Sequence, residues 1–188
     1  WPLLEVPGIE ADDAIGTLAR VAADSGHRVI VSTGDKDLTQ LVNERVTLMN
    51  TMARPPEVLD AAAVEAKFGV PPERIVDYLT LVGDSVDNVP GVDKVGPKTA
   101  ARWLGEHGSL DAIVAAADRI KGAAGENLRR ALDWLPTGRR LVTVRTDCDL
   151  GAQVPGWPAL DALALRAVDR PALLDFYQRY GFRTWRRE

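Results

Sequence analysis

Seven carboxylates in three short segments are the side chains of this sequence best suited to bind a metal ion. Carboxylates packed closely repel one another and raise one another's pKa values, and divalent cations remove that cost. A ligand set made only of oxygen atoms favours Mg²⁺ or Mn²⁺. Two such ions about 4 Å apart activate a water and stabilise both oxygens of an in-line phosphodiester displacement. The seven candidates are Glu10, Asp12, Asp13, Asp35, Asp37, Asp84 and Asp87.

The same acids also have a simpler interpretation. Asp12 or Asp13, and likewise Asp35, are placed where a carboxylate would cap the N-terminus of a helix. For each cluster taken alone, capping and metal ligation stay open. Ligation is favoured for the three together, because they follow predicted strands or precede a predicted phosphate-binding segment.

That segment is residues 91–99, which offer a place for a phosphate backbone. Two glycines five positions apart permit a tight turn with positive φ, and Pro97 suits the first position of a helix. The N-terminus of such a helix attracts anions through its free N–H groups and its dipole. We therefore predict a helix-hairpin-helix clamp that holds DNA without reading its sequence. Its candidate DNA-binding residues are Gly91, Lys94, Gly96, Lys98 and Thr99.

Two alternatives apply to this segment. Its glycines, Lys98 and Thr99 approximate the P-loop pattern G-x-x-x-x-G-K-[ST], but Pro97 is inserted before the lysine and breaks the pattern. A proline also removes an N–H that such a loop directs at phosphate. A plain Gly-Pro turn between two core helices stays open.

Composition limits the remaining classes of function. The 188 residues can bury a core as one or two compact units. A lone cysteine, Cys148, excludes an internal disulfide and fits a reducing, cytoplasmic location. No apolar run approaches the roughly 20 residues of a membrane helix, so we expect no membrane partner. The net charge is −4, but acids predominate in residues 5–37 and bases in residues 119–145, which suits a protein that binds cations and phosphates at different places.

The hydrophobic pattern predicts an α/β core followed by helices. Strands are expected at residues 3–6, 28–32 and 46–49, with helices opening near Glu10 and running through Leu38, which implies a parallel sheet. The apolar run at residues 29–31 is typical of a sheet buried on both faces. Ligands of such sheets bind beyond the carboxyl ends of the strands. We place the core at 1–54 and a helical region at 55–188, with the clamp at 83–104. Helices are expected at 61–68, from Pro71 onward, from Pro97, after Ser109, at 127–134 and around 173–180.

Three sequence segments carry a resemblance to a known family. They are E-A-D-D at 10–13, S-T-G-D-K-D at 32–37, and G-D-S-V-D-N-V-P-G-V at 83–92 followed by G-P-K-T-A at 96–100. In this order they resemble the 5′→3′ exonuclease domain of bacterial DNA polymerase I, a member of the flap endonuclease family. The resemblance extends from Trp1 to about Trp185. It implies a PIN/FEN-like three-layer core, with a helix-hairpin-helix region after it.

The resemblance also implies an activity. It is a structure-specific 5′ nuclease that removes flaps and RNA primers in replication and repair, acting as a monomer on 5′-flap, nicked or RNA-primed duplex DNA. A polymerase domain is expected in the parent chain. Glu10, Asp12, Asp13 and Asp35 correspond to the first metal site of the family, and Asp37, Asp84 and Asp87 to the second. The hairpin with Lys94 and Lys98 corresponds to the duplex clamp, which in the family often holds K⁺.

The sequence departs from the family at its start. A complete domain opens with a strand ending in a metal-ligand aspartate, followed by a second aspartate and a basic arch, and we expect these to precede Trp1 in a longer parent. That departure leaves two alternatives: a duplex-DNA-binding fragment without catalysis, and a PIN-type ribonuclease. The hairpin at 91–99 argues against the ribonuclease.

Overall fold

The computed structural model describes residues 2–182 and 184, so that Trp1 and Trp185 lie outside the described part. Residues Val6–Asp149 form one compact unit, and the described residues on either side of them form another. All the predicted site residues lie in Val6–Asp149. The predicted division after residue 54 stays a prediction.

The described residues contain eight α-helices and five short strands. The helices are α1 (Ala11–Asp24), α2 (Ala61–Phe68), α3 (Ile75–Val82), α4 (Pro97–His107), α5 (Leu110–Ala115), α6 (Gly122–Ala131), α7 (Leu135–Val142) and α8 (Arg170–Arg179). The strands are β1 (Val29–Ser32), β2 (Val46–Asn50), β3 (Glu57–Leu59), β4 (Gly83–Asp84) and β5 (Val89–Pro90). Among the described helices, none is long and apolar enough to cross a membrane.

The main sheet has the order β1-β2-β3. β1 and β2 are parallel, as predicted, with Val29 opposite Val46. The third strand is not the predicted one. β3 pairs antiparallel with β2, in a segment expected to be helical, because a short connection can reverse the chain and pair neighbouring strands. The expected strand at residues 3–6 is absent: Leu3 is 89% exposed, and these residues pair with no strand in the described structure.

Alternation along the strands separates two faces of the sheet. Val31, Leu48 and Leu59 lie on one face and are buried in the core, toward which α1 packs. Ile30 and Val58 lie on the other face and are 65% and 51% exposed. The expectation that β1 is buried on both faces is therefore wrong for Ile30.

The helical half is arranged around α3, which contacts α4, α5 and α7. The predicted helix at 61–68 is α2; Asp60 caps it and Gly69 ends it with a φ of 73°. Ser109 caps α5 as expected. α6 begins earlier than the predicted 127–134, and α7 was not predicted, because its Pro136 and Gly138 are typical helix breakers. The segment expected to be helical through Leu38 is a 3-10 turn, Asp37–Leu41.

Candidate metal centre and nucleic-acid interface

Three of the predicted ligands meet in one cluster. Asp37, Asp84 and Asp87 each offer a carboxylate oxygen, and these oxygens all lie within 4.8 Å of one another. Asp37 opens the 3-10 turn that follows β1, Asp84 lies in β4, and Asp87 lies in the turn toward β5. Asp84 and Asp87, three positions apart in the chain, thus present their carboxylates to the same place.

Asp84 is held ionised by its surroundings. It is 4% exposed. Its Oδ1 accepts hydrogen bonds from the backbone N–H of Val86 at 2.7 Å and of Asp87 at 3.4 Å, and its Oδ2 accepts one from Lys36 Nζ. Burial tends to raise the pKa of Asp84, but the hydrogen bonds from Lys36 and from the two N–H groups outweigh it, and the pKa falls below its ordinary value. The same N–H bonds fix the turn that carries Asp87.

Asp37 supplies a buried oxygen that accepts no hydrogen bond from the described residues. This atom, Oδ1, lies 3.3 Å from Lys36 Nζ. Burial raises the pKa of Asp37, and the charge of Lys36 opposes the rise only in part. A buried carboxylate oxygen that lacks a hydrogen bond is costly, even with an ammonium group nearby. Together with two further carboxylates in reach, it is what a hard divalent cation requires, so the cluster fits such an ion.

The other four predicted ligands lie around this cluster and do not join it. Burial raises the pKa of Asp12, and the charges of Asp35, Glu10, Asp13 and Asp87 raise it further. These acids therefore share one negative region, although the structure gathers only the second predicted metal group into a set with ligand spacing. Glu10 occupies the N-cap position of α1 and makes no side-chain cap. In the described residues no strand precedes Glu10, Asp12 and Asp13, contrary to the expectation.

Two of the four have structural hydrogen bonds as well. Asp35 Oδ1 accepts from the N–H of Asp37 at 2.9 Å, a local bond at the start of the 3-10 turn, whose N-cap residue is Lys36. Asp13 Oδ1 accepts from the N–H of Arg145 at 2.8 Å, and no local pattern in the sequence predicts that Arg145 lies nearby.

Residues 143–149, which follow α7 and which we call the strap, contact α1 and the 3-10 turn that begins at Asp37. Thr17 Oγ1 accepts from Cys148 N at 3.2 Å, and Arg20 Nε donates to Thr146 O at 2.6 Å. The strap lies so close to α1 that a Cβ on Gly16 would be 2.7 Å from Val144 Cγ1. Neither contact has a local sequence signal, because the partners are more than a hundred residues apart.

Gln40 and Trp134 were also missed. The Gln40 side chain donates to the carbonyl oxygens of Asp37 and Val142, each at 2.9 Å, and accepts from Val144 N at 3.0 Å. Trp134 Nε1 donates to Pro90 O at 2.7 Å, beside the turn that carries Asp87. Both residues fix the backbone on which cluster carboxylates are mounted.

The hairpin before α4 has the predicted position but a different geometry. Its positive φ belongs to Lys94, at 62°, and neither Gly91 nor Gly96 has one. Gly91 is required for another reason, since a Cβ there would overlap the backbone of Val82 and Gly83. α4 begins at Pro97, and Gly96 is its N-cap residue.

The cationic side chains of the hairpin suit an anionic partner. Lys94 and Lys98 are exposed and Thr99 is half-buried. Asn127 of α6 supports the turn by donating to Asp93 O at 2.9 Å and Asp93 Oδ2 at 3.1 Å. A supported backbone turn with two exposed ammonium groups beside a helix N-terminus suits a phosphate chain.

Two family models match the chain in succession. The 5'-3' exonuclease N-terminal resolvase-like domain matches residues 1–69, and the 5'-3' exonuclease C-terminal SAM fold matches residues 70–166. The chain belongs to the 5'-3' exonuclease family. The resemblance drawn from the three sequence segments is thereby confirmed. The roles of the individual carboxylates and hairpin residues stay predictions.

Curated relatives of this exonuclease-family chain are longer than it is. DNA polymerase I of Pseudomonas aeruginosa is 42% identical in an alignment of length 196, which covers 98% of this chain and 20% of that protein. A 5'-3' exonuclease of Aquifex aeolicus is 44% identical over 149 residues, which cover 79% of this chain and 50% of that protein. The chain thus spans about a fifth of the polymerase relative and half of the exonuclease relative.

Solved structures share the fold. The bacteriophage T5 flap endonuclease, in a complex with DNA and metal ions, aligns with a TM-score of 0.71 at 21% identity over 95% of this chain and 61% of that one. The catalytic core of Rad2 in complex with DNA substrate aligns with a TM-score of 0.52 at 15% identity over 90% of this chain and 56% of that one. The predicted PIN/FEN-like fold class is confirmed.

Proposed function

We propose that this chain is part of a structure-specific 5′→3′ exonuclease and flap endonuclease that hydrolyses phosphodiester bonds with divalent metal ions. The buried cluster of Asp37, Asp84 and Asp87 carries the proposal, because its unsatisfied oxygen and its ligand spacing suit such an ion in a nuclease family. Its expected substrates are 5′-flap, nicked and RNA-primed duplexes. We place it in the cytoplasm as a monomer, linked to a polymerase domain as in the DNA polymerase I relatives.

The residues divide into three tasks at the metal centre. The cluster holds one ion, and Glu10, Asp12, Asp13 and Asp35 flank the place of a second. These residues would hold Mg²⁺ or Mn²⁺, and the ions would supply a water of lowered pKa and stabilise negative charge on phosphate oxygens. The N–H groups of Val86 and Asp87 help to hold Asp84 ionised, and Gln40 fixes the backbone carbonyl of Asp37.

The hairpin is proposed to hold the duplex by its phosphates, with K⁺ as an additional ion on its backbone carbonyls. The left-handed backbone conformation of Lys94 supports the assignment of the hairpin to phosphate binding. A residue with a side chain at a φ of 62° costs roughly 1 kcal/mol relative to glycine. A lysine kept at such a position, exposed and beside a helix N-terminus, is better explained by a phosphate contact than by stability.

Cleavage of a 5′-flap duplex tests the function. Asp84→Asn should abolish Mg²⁺-dependent cleavage while duplex binding, measured by fluorescence anisotropy, is retained. Asp118→Asn removes an equal charge from an exposed site outside the centre and should cleave as the unchanged chain does. A chain that binds the duplex and releases no product with Mg²⁺ or Mn²⁺ would favour the binding module without catalysis. Preferential cleavage of single-stranded RNA would favour the PIN-type ribonuclease.

A further inference from the structure

Lys36 lies where a cation of the acidic cluster would lie. Its ammonium group donates to Asp84 Oδ2 and is 3.3 Å from Asp37 Oδ1, the oxygen that accepts no hydrogen bond from the described residues. The two oxygens come from different elements, the 3-10 turn after β1 and the strand β4. The ammonium therefore links two members of the cluster across the fold, as a bound metal ion would.

We propose that Lys36 is an internal counter-ion, which occupies the cation position between Asp37 and Asp84 in the metal-free protein and leaves it when a divalent ion binds. This inference rests on the proposed function, because it concerns the same metal centre. It assigns to Lys36 a role in the exchange between metal-free and metal-bound protein, and no contact with the substrate.

The geometry permits the exchange without a change of fold. The Lys36 side chain is 43% exposed, whereas the Asp84 side chain is 3% exposed and that of Asp37 12%. The lysine thus enters the cluster from the solvent side, with only its charged end between the buried oxygens. Its backbone has ordinary helical angles, φ −71° and ψ −26°. The flexible four-carbon stem can swing outward from this backbone.

A divalent ion and the Lys36 ammonium group cannot both lie between Asp37 and Asp84. A divalent ion and an ammonium group a few ångströms apart repel strongly in a partly buried site. Both also need the same lone pairs of Asp37 and Asp84. Binding of the metal must therefore break both Lys36 contacts, and the free energy of those contacts is subtracted from the affinity for the metal. In the metal-free protein the same contacts reduce the repulsion between the acids.

The probe for this exchange is Mn²⁺ alone, titrated by calorimetry into metal-free protein at fixed ionic strength. Lys36→Met keeps the stem and removes the competing charge, and it should bind Mn²⁺ about tenfold more tightly, a typical size for coupling between two ligands. Lys36→Arg keeps the charge and should not gain affinity. The matched control is Lys67→Met, since Lys67 is 44% exposed and pairs with Glu57 at 2.9 Å outside the cluster. It should bind Mn²⁺ as the unchanged chain does.

Thermal unfolding gives a second readout that does not depend on nuclease activity. Metal-free Lys36→Met should melt at a lower temperature than the unchanged chain, and it should gain more from saturating Mn²⁺. Equal or weaker Mn²⁺ affinity in Lys36→Met, with binding intact in the unchanged chain, would overturn the counter-ion role and leave the proposed function standing. If the unchanged chain bound no Mn²⁺, both would fail.

NMR of the unchanged chain covers the case in which Lys36→Met does not fold. The side-chain Nζ and Cε resonances of Lys36, assigned by comparison with Lys36→Arg, should shift to the values of a solvated lysine on titration with Mg²⁺. Resonances that stay unchanged at saturating Mg²⁺ would overturn the exchange.

Discussion

At the scale of single residues, Gly91 and Gly96 have different tasks although both lie in the hairpin before α4. A Cβ at Gly91 would overlap the backbone of Val82 and Gly83, whereas one at Gly96 would meet no atom within 4 Å. We expect Gly91→Ala to cost about 3 kcal/mol through overpacking, and Gly96→Ala less than about 1 kcal/mol at a helix N-cap. Urea unfolding of the two variants measures the difference. Equal losses would contradict the close packing of the hairpin on the end of α3.

Asp12 should destabilise the metal-free protein at neutral pH. Burial and the surrounding acids raise its pKa in the folded state. Above that pKa the Asp12 carboxylate is ionised in both the folded and the unfolded state, and its ionisation lowers the free energy of unfolding. Below the pKa of the unfolded state it is protonated in both, and this destabilisation vanishes. Asp12→Asn should therefore raise the melting temperature at pH 7, and the gain should disappear as the pH falls toward about 3. Calorimetric melts in a chelator check this, with Asp118→Asn as the charge control. A gain that grew at low pH would contradict the sign.

At the scale of elements, the strap decides how α1 and the Asp37 turn are placed. Thr17 is fully buried, and its hydroxyl accepts from Cys148 N, so Thr17→Val leaves an N–H without a partner. The expected loss is about 2 kcal/mol. Thr143→Val is the matched control, because Thr143, at the start of the strap, is exposed and its hydroxyl donates back to Arg139 O of α7 and not to α1. That variant should stay within about 0.5 kcal/mol of the unchanged chain. Similar losses in both would show that the strap is not anchored through Thr17.

At the scale of the whole molecule, the proposed DNA binding must overcome a net charge of −4. The exposed lysines of the hairpin offer a local positive site, and the proposed clamp reads phosphates only. Lys98→Ala should weaken binding equally for duplexes of different sequence, and it should reduce the slope of log K against log salt by about 1. Fluorescence anisotropy at several salt concentrations measures both. Loss of affinity for one sequence with an unchanged slope would contradict a backbone clamp.

How much of this could be predicted depends on how far apart the interacting residues lie. Short-range signals determined the bounds of α2, the start of α4 at Pro97 and the parallel pair of β1 and β2. The types and positions of the acids indicated a candidate metal centre, and Asp37, Asp84 and Asp87 of that set lie within reach of one ion. Each of these rests on chemistry that a few neighbouring residues carry: a cap, a helix stop, an alternation of apolar positions or a turn.

Tertiary structure alone decided the remaining features. Gln40 meets Val144 across 104 positions and Asp13 meets Arg145 across 132, so no local pattern reports either bond. α7 packs on α3, and Pro136 lies in its first turn, where proline is tolerated, so that only Gly138 opposes the helix from its interior. Tertiary packing also brings three of the seven acids within ligand distance of one another and places Lys36 between two of them. The sequence by itself determined which metal-binding and phosphate-binding side chains the chain contains. Packing between distant segments determined which of them lie together in one site, because contact free energies depend on distances that local spacing does not encode.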